Sequence, residues 1–225
     1  MQFNLPKGQA PIRHLTDQSN TYTLNTSHYS FILSLIMSSN IQPLYPGSIY
    51  HIFNRAIGNE KLFMQEEDHF EWIKYIKKYV LLLSELYAYC LLPNHYHFLL
   101  RIHHNTSASL FSKGMSDAAN SFCKWYNKKY NRKGGLFIKP FKRKLIEDDY
   151  QLAWTTWYIH RNPMHHGYTK DWSNWKFSSF QIFFSEKPTS LSRNFILDFF
   201  GTKEELLKQH TLNANDTIVN LIAIE

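Results

Sequence analysis

The chain has 225 residues, of which 44% are hydrophobic and 19% charged, and its formal net charge is +7. This length and apolar content allow one sizeable hydrophobic core and exclude a wholly disordered chain. The basic balance favours a polyanionic partner, either nucleic acid or an anionic membrane surface, although many soluble proteins are mildly basic. Cys90 and Cys123 lie outside any CxxC motif. They form no disulfide framework, so a reducing compartment is the simpler interpretation.

The N-terminal segment differs from the rest of the chain. Residues 16–30 are rich in Ser, Thr and Asn, and Met37 begins a stretch typical of a natural protein start. We expect an N-terminal extension over residues 1–42, with residues 1–36 either mobile or upstream of the true start. The apolar run at 31–37 is too short to span a bilayer and lacks the basic flank of a signal peptide. We therefore expect a cytoplasmic protein without a membrane partner.

From Pro46 onward, segments with strand-like and helix-like patterns alternate. Aromatic and β-branched residues predict strands at 48–55, 86–92, 95–102 and 136–146. Apolar residues at helical spacing predict helices at 65–83 and 107–130, a third from Asp148 or Asp149 to about His160, and one or two short helices within 195–210.

The connections between these segments indicate the fold class. Pro93-Asn94 separates two strand-like runs, which predicts a hairpin. Asn162-Pro163 is expected to end the third helix, and residues 171–180 are aromatic and irregular. Strands interleaved with helices predict an α+β sandwich in which helices pack on a largely antiparallel sheet.

His95-Tyr96-His97 is the most specific local motif. Side chains two residues apart on a strand point to the same face, so His95 and His97 can bind one metal cation. Apolar residues flank both sides, and polar groups buried there need partners. The alternative is a pair of histidines hydrogen-bonded to carbonyl groups or water at a strand end, and an isolated HxH pattern more often has this explanation.

Tyr150 follows the acidic triplet 147–149 at the start of the third predicted helix. A tyrosine in this place is usually a packing residue of an amphipathic helix. It can act as a nucleophile only if the fold places it against a metal site, where the cation polarises a phosphate and a base assists.

Several segments, in collinear order, resemble one family. CLLPNHYHFLLRI resembles the PNHxH segment of the single-tyrosine HUH transposases, where U is a hydrophobic residue and Tyr96 takes its place. The likeness is greatest to the REP-associated tyrosine transposases, which are related to the transposases of small insertion sequences. It covers roughly residues 43–180 and continues in the tail. The other segments are PLYPGSIYHIFNRAIGNEKLF (43–63), GGLFIKPFKRK (134–144), YIHRNPMHHG (158–167), WKFSSF (175–180) and FFGTKEELLKQH (199–210).

The resemblance implies a fold and a chemistry. The fold is a ferredoxin-like α+β sandwich with a central antiparallel sheet. The function is that of a DNA transposase-like single-strand endonuclease and strand transferase. His95 and His97 would bind a divalent cation, Mg²⁺ or Mn²⁺. A tyrosine on a helix facing that strand would attack single-stranded DNA, forming a 5′-phosphotyrosine and a free 3′-hydroxyl. By motif position Tyr150 matches this nucleophile, and Tyr158 is the second choice.

One position departs from the family pattern. Relatives commonly carry Gln or Asn one helical turn after the tyrosine as a third metal ligand. Counted from Tyr150 this position is Trp154, and an indole cannot ligate a metal. Water, Glu147 or His160 would then complete the site, or metal binding is weakened. The alternative function is therefore a catalytically degenerate protein that binds hairpin DNA.

Charge and resemblance together favour single-stranded or hairpin DNA as the partner, bound near the nucleoid by a monomer or a homodimer. Phosphates need Lys and Arg, and unpaired bases stack on aromatic rings such as Phe137 and Phe141. Alone, the cluster of basic residues could equally be a solvated face. The predicted DNA-binding cations are Lys124, Lys128, Lys129, Arg132, Lys133, Lys139, Lys142, Arg143 and Lys144.

A metal hydrolase that uses the two histidines with Asp or Glu is a third hypothesis. The sequence contains no HExxH motif and no further cluster with clear ligand spacing, which weighs against it. The expected organisation is an extension at 1–42, a transposase-like domain at 43–185 and a helical tail at 186–225.

Overall fold

The computed structural model describes residues 42–212. The predicted extension before Gln42 and the end of the predicted tail lie outside the described residues. The strands are β1 Ile49–Arg55, β2 Ser84–Leu92, β3 His95–Ile102 and β4 Lys142–Leu145. The helices are α1 Glu66–Tyr79, α2 Ala108–Lys129, α3 Asp149–His165, α4 Arg193–Phe200 and α5 Lys203–Thr211. Two 3-10 turns lie at Trp172–Asn174 and Phe180–Phe184.

The four strands form one antiparallel sheet in the order β2-β3-β1-β4. Helix α1 connects β1 to β2, and α2 connects β3 to β4, so the first six elements follow the order β-α-β-β-α-β. This order and this connectivity are those of a ferredoxin-like sandwich. The predicted α+β class, the antiparallel sheet and the hairpin of β2 and β3 are confirmed.

The two faces of the sheet have different coverings. Alternate residues of β3 point to opposite faces. On the helical face, Tyr96 packs against Trp72 of α1, which contacts Phe122 of α2, with ring centroids 5.1 and 5.4 Å apart. On the histidine face, which carries His95 and His97, the sheet meets α3. The most buried part of the protein thus lies between the sheet and its helices.

The free edge of β2 is covered by the chain that follows α3. The amide of Leu91 donates to the Phe177 carbonyl at 2.9 Å, and the amide of Ser192 donates to the Leu86 carbonyl at 2.8 Å. Since unpaired strand edges are prone to aggregation, this cover protects the sheet. The predicted division between a domain ending at residue 185 and a helical tail stays a prediction.

Two boundaries differ from the predicted ones, and both differences involve proline. The fourth strand is limited to Lys142–Leu145, because Pro140 has no N–H with which to extend the ladder. The prediction that Asn162-Pro163 ends the third helix is wrong, since α3 continues to His165 with Pro163 inside it. Pro163 gives up one backbone hydrogen bond, but it is packed in a buried stretch that holds the helix in place. None of the helices within residues 42–212 is long and apolar enough to cross a membrane.

Candidate functional site

Strand register brings a row of polar side chains onto the histidine face. On β1, Arg55 lies opposite His95 of β3, and Phe53 lies opposite His97. Phe53 also lies opposite Lys142 of β4. Residues directly opposite on antiparallel strands share a face, with Cβ atoms about 5 Å apart. The two predicted metal ligands therefore have a cation and an aromatic ring as their neighbours in the sheet.

His95 is held between two asparagine side chains. Its Nδ1 lies 2.7 Å from Asn94 Oδ1, and its Nε2 lies 3.0 Å from Asn162 Oδ1. The Tyr168 hydroxyl donates to the same Asn94 oxygen at 3.3 Å, so Asn94 Oδ1 is an acceptor. A neutral imidazole has only one N–H. If Nδ1–H donates to Asn94, the lone pairs of His95 Nε2 and Asn162 Oδ1 point at each other.

This lone-pair arrangement suits two ligands of one cation. Neighbouring ligands of an octahedral Mg²⁺, each about 2.1 Å from the metal, lie about 3 Å apart. A metal-binding histidine usually donates its other N–H to an oxygen, as Nδ1 does here. Without a cation, the contact requires a second proton on His95 or a reversed Asn162 amide. The donor set of His95 and Asn162 therefore fits a divalent metal.

His97 has a buried histidine beside it. Its Nδ1 lies 2.8 Å from Nε2 of His51, and both residues are about 1% exposed. The contact fixes the His97 ring and leaves Nε2 as the nitrogen suited to a metal. Sequence reasoning missed His51. The sequence indicates only that His51 lies in a predicted strand, because its place beside His97 depends on the pairing of β1 with β3.

Helix α3 brings Tyr158 to the histidines. The Tyr158 ring centroid lies 5.7 Å from that of His97 and 6.0 Å from that of His51. Tyr150 lies eight residues earlier, which is about 12 Å along the helix axis, and its ring contacts Trp154 at 6.2 Å. The structure thus places the second choice, Tyr158, at the predicted metal ligands in place of Tyr150.

The residues suggested to complete the metal site have other contacts. His160 is fully buried, with Nδ1 2.7 Å from His210 Nε2 and Nε2 2.8 Å from Ser179 Oγ. Burial lowers the pKa of His160 far below its usual value. Both of its ring nitrogens are engaged, so His160 is not a metal ligand. Glu147 precedes α3, where its carboxylate accepts from Gln151 at 3.4 Å.

An amide is therefore the third protein donor that the structure offers. Within residues 42–212, no three His, Cys, Asp or Glu side chains are grouped so that they could hold a metal ion. Asn162 lies four residues after Tyr158 on α3, one helical turn away. Trp154 is 2% exposed and packs against Trp157, with ring centroids 5.4 Å apart, which is a core role.

The sheet divides the predicted DNA-binding cations into two groups. Lys142 and Lys144 of β4 lie on the histidine face, since they oppose Phe53 and His51. Arg143, between them, points to the other face and donates to the Gln42 carbonyl. The exposed cations on α2 and in the loop after it are Lys124, Lys128, Lys133 and Lys139.

Two of the predicted cations belong to internal ion pairs. Lys129 Nζ lies 2.7 Å from both Glu67 and Asp68, and Arg132 lies 3.0 Å from Glu60. Their side chains are only 19% and 18% exposed. Their role in DNA binding stays a prediction, and their charges already have carboxylate partners within the protein.

A small pocket with a cavity volume of about 40 Å³ opens beside the histidines. It lies between the ends of β1 and β3 and the edge strand β4. The residues that line it are Phe53, Asn54, Arg55, His95, Tyr96, His97 and Lys142.

Comparisons with known proteins show which proteins the chain resembles. No protein-family model matches the chain. A protein of Haemophilus influenzae, provisionally named a REP-associated tyrosine transposase, is 31% identical over an alignment of 105 residues, and the match covers 43% of this chain and 58% of that protein. The chain thus matches less than two thirds of this relative's length. The chain is similar to the REP-associated tyrosine transposases.

A solved structure of a REP-associated tyrosine transposase bound to a REP hairpin has a TM-score of 0.53 and 19% identity with this protein. The match covers 66% of this chain and 87% of that one, and at this identity it concerns the fold. The resemblance to the REP-associated tyrosine transposases implied an amide one turn after the tyrosine. The residue one turn after Tyr158 is Asn162, which carries an amide, whereas the residue one turn after Tyr150 is Trp154, which does not.

Proposed function

We propose that this protein is a metal-dependent enzyme that nicks and rejoins single-stranded DNA carrying a hairpin, with Tyr158 as its nucleophile. The observation that carries the proposal is the double contact of α3 with β3. Tyr158 packs against His97, and Asn162 Oδ1 lies 3.0 Å from His95 Nε2. The hairpin is proposed because the solved structure with the same fold is bound to a REP hairpin.

The reaction exchanges one phosphoester for another. The Tyr158 phenol oxygen attacks the phosphorus, the bond to the 3′-oxygen breaks, and the 5′-phosphate stays on the tyrosine. The phenol proton leaves to a base or water, and the departing 3′-oxygen takes up a proton. A 3′-hydroxyl then attacks the phosphotyrosine in the reverse sense, which rejoins the strand. The phosphotyrosine is itself a phosphodiester and retains the energy of the bond that was broken. Rejoining therefore needs no nucleotide cofactor.

His95, His97 and Asn162 are the residues that would hold the divalent cation, Mg²⁺ or Mn²⁺. When bound, the metal would polarise the scissile phosphate and neutralise the charge that develops on it. Imidazole nitrogens are poor ligands for Mg²⁺, which binds oxygen, and the transition-metal ion Mn²⁺ accepts them more readily. We therefore expect Mn²⁺ to support the reaction better than Mg²⁺.

Tyr158 is only 3% exposed. A phosphodiester can reach its hydroxyl only if neighbouring side chains or α3 move when DNA binds. The proposed enzyme therefore includes a conformational step before chemistry.

The test is a covalent adduct on a denaturing gel. Labelled hairpin oligonucleotides with single-stranded flanks, taken from DNA beside the gene for this protein, are incubated with Mn²⁺ and the protein. We expect a protein–DNA band for the wild type and for Tyr150→Phe, and no band for Tyr158→Phe. A band that survives Tyr158→Phe and is lost in Tyr150→Phe would reject Tyr158 as the nucleophile.

The same experiment separates the alternatives. Tight binding in a gel-shift assay without any adduct would favour the hairpin-binding module, and the burial of Tyr158 is the observation that supports it. Cleavage that persists in both Phe variants would favour a metal hydrolase.

A further inference from the structure

We infer that the pocket beside the histidines is a subsite for a second phosphate, held by Arg55 and Lys142. Its ligand is the phosphodiester next to the one attacked, on the same single strand of DNA. This inference rests on the proposed function, since it names a part of the substrate that the same site binds.

The first argument is position. Arg55 lies directly opposite His95 in the sheet, and Lys142 lies one strand beyond His97 with Phe53 between them. The Phe53 ring is stacked 5.8 Å from the His97 ring, and Lys142 Nζ lies 5.8 Å from the Phe53 centroid. The two cations therefore flank the pocket on the side of the histidines away from α3. A single strand of DNA whose phosphate contacts the histidines would extend past Arg55 or Lys142.

The second argument is charge. Arg55 and Lys142 make no ion pair within residues 42–212, whereas Lys129 and Arg132 on the helical face are paired with carboxylates. The positive charges of Arg55 and Lys142 repel each other, and a divalent metal bound by the neighbouring imidazoles would add to this repulsion. A bound polyanion removes it, so this part of the protein favours phosphate.

The third argument is rigidity. The Asn54 carboxamide donates to the Ile138 carbonyl at 2.8 Å and accepts from the amide of Arg55 at 2.8 Å. Asn54 is 6% exposed. It ties the end of β1 to the segment before β4, which fixes the two walls of the pocket relative to each other. The backbones that carry both cations are therefore positioned before DNA arrives.

The experiment tests whether one cation of the protein and one phosphate of the DNA contact each other, by removing each charge alone and both together. Each linkage in the single-stranded flank of the hairpin oligonucleotide is replaced in turn by a neutral methylphosphonate. Equilibrium binding of each oligonucleotide is then measured for the wild type, Lys142→Gln, Arg55→Gln and Lys142→Arg. Lys77→Gln is the control, because Lys77 is exposed on α1, on the helical face.

At one linkage next to the attacked phosphate, we expect the neutral replacement to weaken wild-type binding by about tenfold. The same replacement should cause little further loss in Lys142→Gln or Arg55→Gln, because the contact is already gone. Lys142→Arg should behave like the wild type. The slope of log K against log salt should fall by about 0.7 in each Gln variant and stay unchanged in Lys77→Gln.

Equal losses in wild type and Gln variants at every linkage would overturn the subsite. Binding does not need the covalent step, so the two proposals can fail separately. A missing adduct with the coupling intact would overturn the proposed function alone. No binding of DNA by the wild type would overturn both.

Discussion

Asn94 decides which nitrogen of His95 carries the proton. Its Oδ1 accepts from the Tyr168 hydroxyl and lies 2.7 Å from His95 Nδ1, so it selects the tautomer with a lone pair on Nε2. Residues that orient a metal-binding histidine typically change metal affinity by about 10- to 100-fold. We predict a loss of this size in Mn²⁺ affinity for Asn94→Ala, measured by titration calorimetry without DNA. Asn194→Ala, at an exposed position on α4, is the control, and equal affinities in both variants would contradict the assigned tautomer.

The histidine pair and the tyrosine show what a sequence can reveal at the residue scale. Two residues at i and i+2 on a strand share a face whatever the rest of the fold does, so the shared face of His95 and His97 was predictable, while their role as metal ligands stays a prediction. The choice between Tyr150 and Tyr158 depends on which turn of α3 meets β3, and this is set by tertiary packing. The departure at Trp154 followed from taking Tyr150 as the nucleophile. With Tyr158 as the proposed nucleophile, the residue one helical turn later is Asn162, which carries an amide.

At the scale of elements, α3 is fixed by a buried chain of hydrogen bonds from α5. His210 Nδ1 donates to the Leu206 carbonyl at 2.7 Å, so its Nε2 accepts from His160 Nδ1. His160 Nε2 in turn accepts from the Ser179 hydroxyl at 2.8 Å. His160 lies midway between Tyr158 and Asn162, so α5 contributes to the position of both.

This chain of hydrogen bonds predicts a loss of stability in acid. Burial lowers the pKa of His210 from 6.5 to about 4 and that of His160 far below its usual value. Between pH 6.5 and 4, the unfolded chain therefore binds protons that the folded protein excludes. The free energy of unfolding should decrease as pH falls through this range, by up to about 1.4 kcal/mol per pH unit for each histidine.

His210→Gln tests this prediction, since a carboxamide can both donate and accept but does not titrate. Urea unfolding at pH 7.5, 6 and 5 should give a shallower pH dependence than in the wild type. His104→Gln removes an exposed imidazole and serves as the control. A slope equal to that of the wild type in His210→Gln would exclude this role for His210.

The elements themselves were largely predictable, because their signals are local. β3 spans His95–Ile102, as the apolar run predicts, and Ser107 caps α2 by accepting from the Leu110 amide at 3.2 Å. The order β2-β3-β1-β4 could not be predicted from local patterns, because it depends on pairing between residues about 40 to 95 positions apart. The cover on the edge of β2 by the chain after α3 depends on similarly distant contacts.

At the scale of the whole molecule, the sheet separates a stabilising set of charges from a binding set. On the helical face, Asp68 is fully buried and accepts from Lys129, the Tyr130 hydroxyl and the amides at the start of α1. Burial raises its pKa, but these hydrogen bonds outweigh burial and keep the pKa below its usual value. On the histidine face, Arg55 and Lys142 have no carboxylate partner within residues 42–212. The net charge of +7 therefore understates how positive the histidine face is.

This separation makes two lysines behave in opposite ways. Lys129→Ala leaves a buried carboxylate without its ammonium partner, so we predict a loss of about 1–3 kcal/mol in the free energy of unfolding. The salt dependence of its DNA binding should stay at the wild-type value. Lys142→Ala should retain wild-type stability, because its ammonium lies only above the Phe53 ring, and should lower the salt slope. Urea unfolding and gel-shift titrations at several salt concentrations, made on both variants, measure the two effects side by side. If Lys129→Ala changed the salt slope as much as Lys142→Ala, DNA would have to contact the helical face too, and the basic surface would extend around the edge of the sheet.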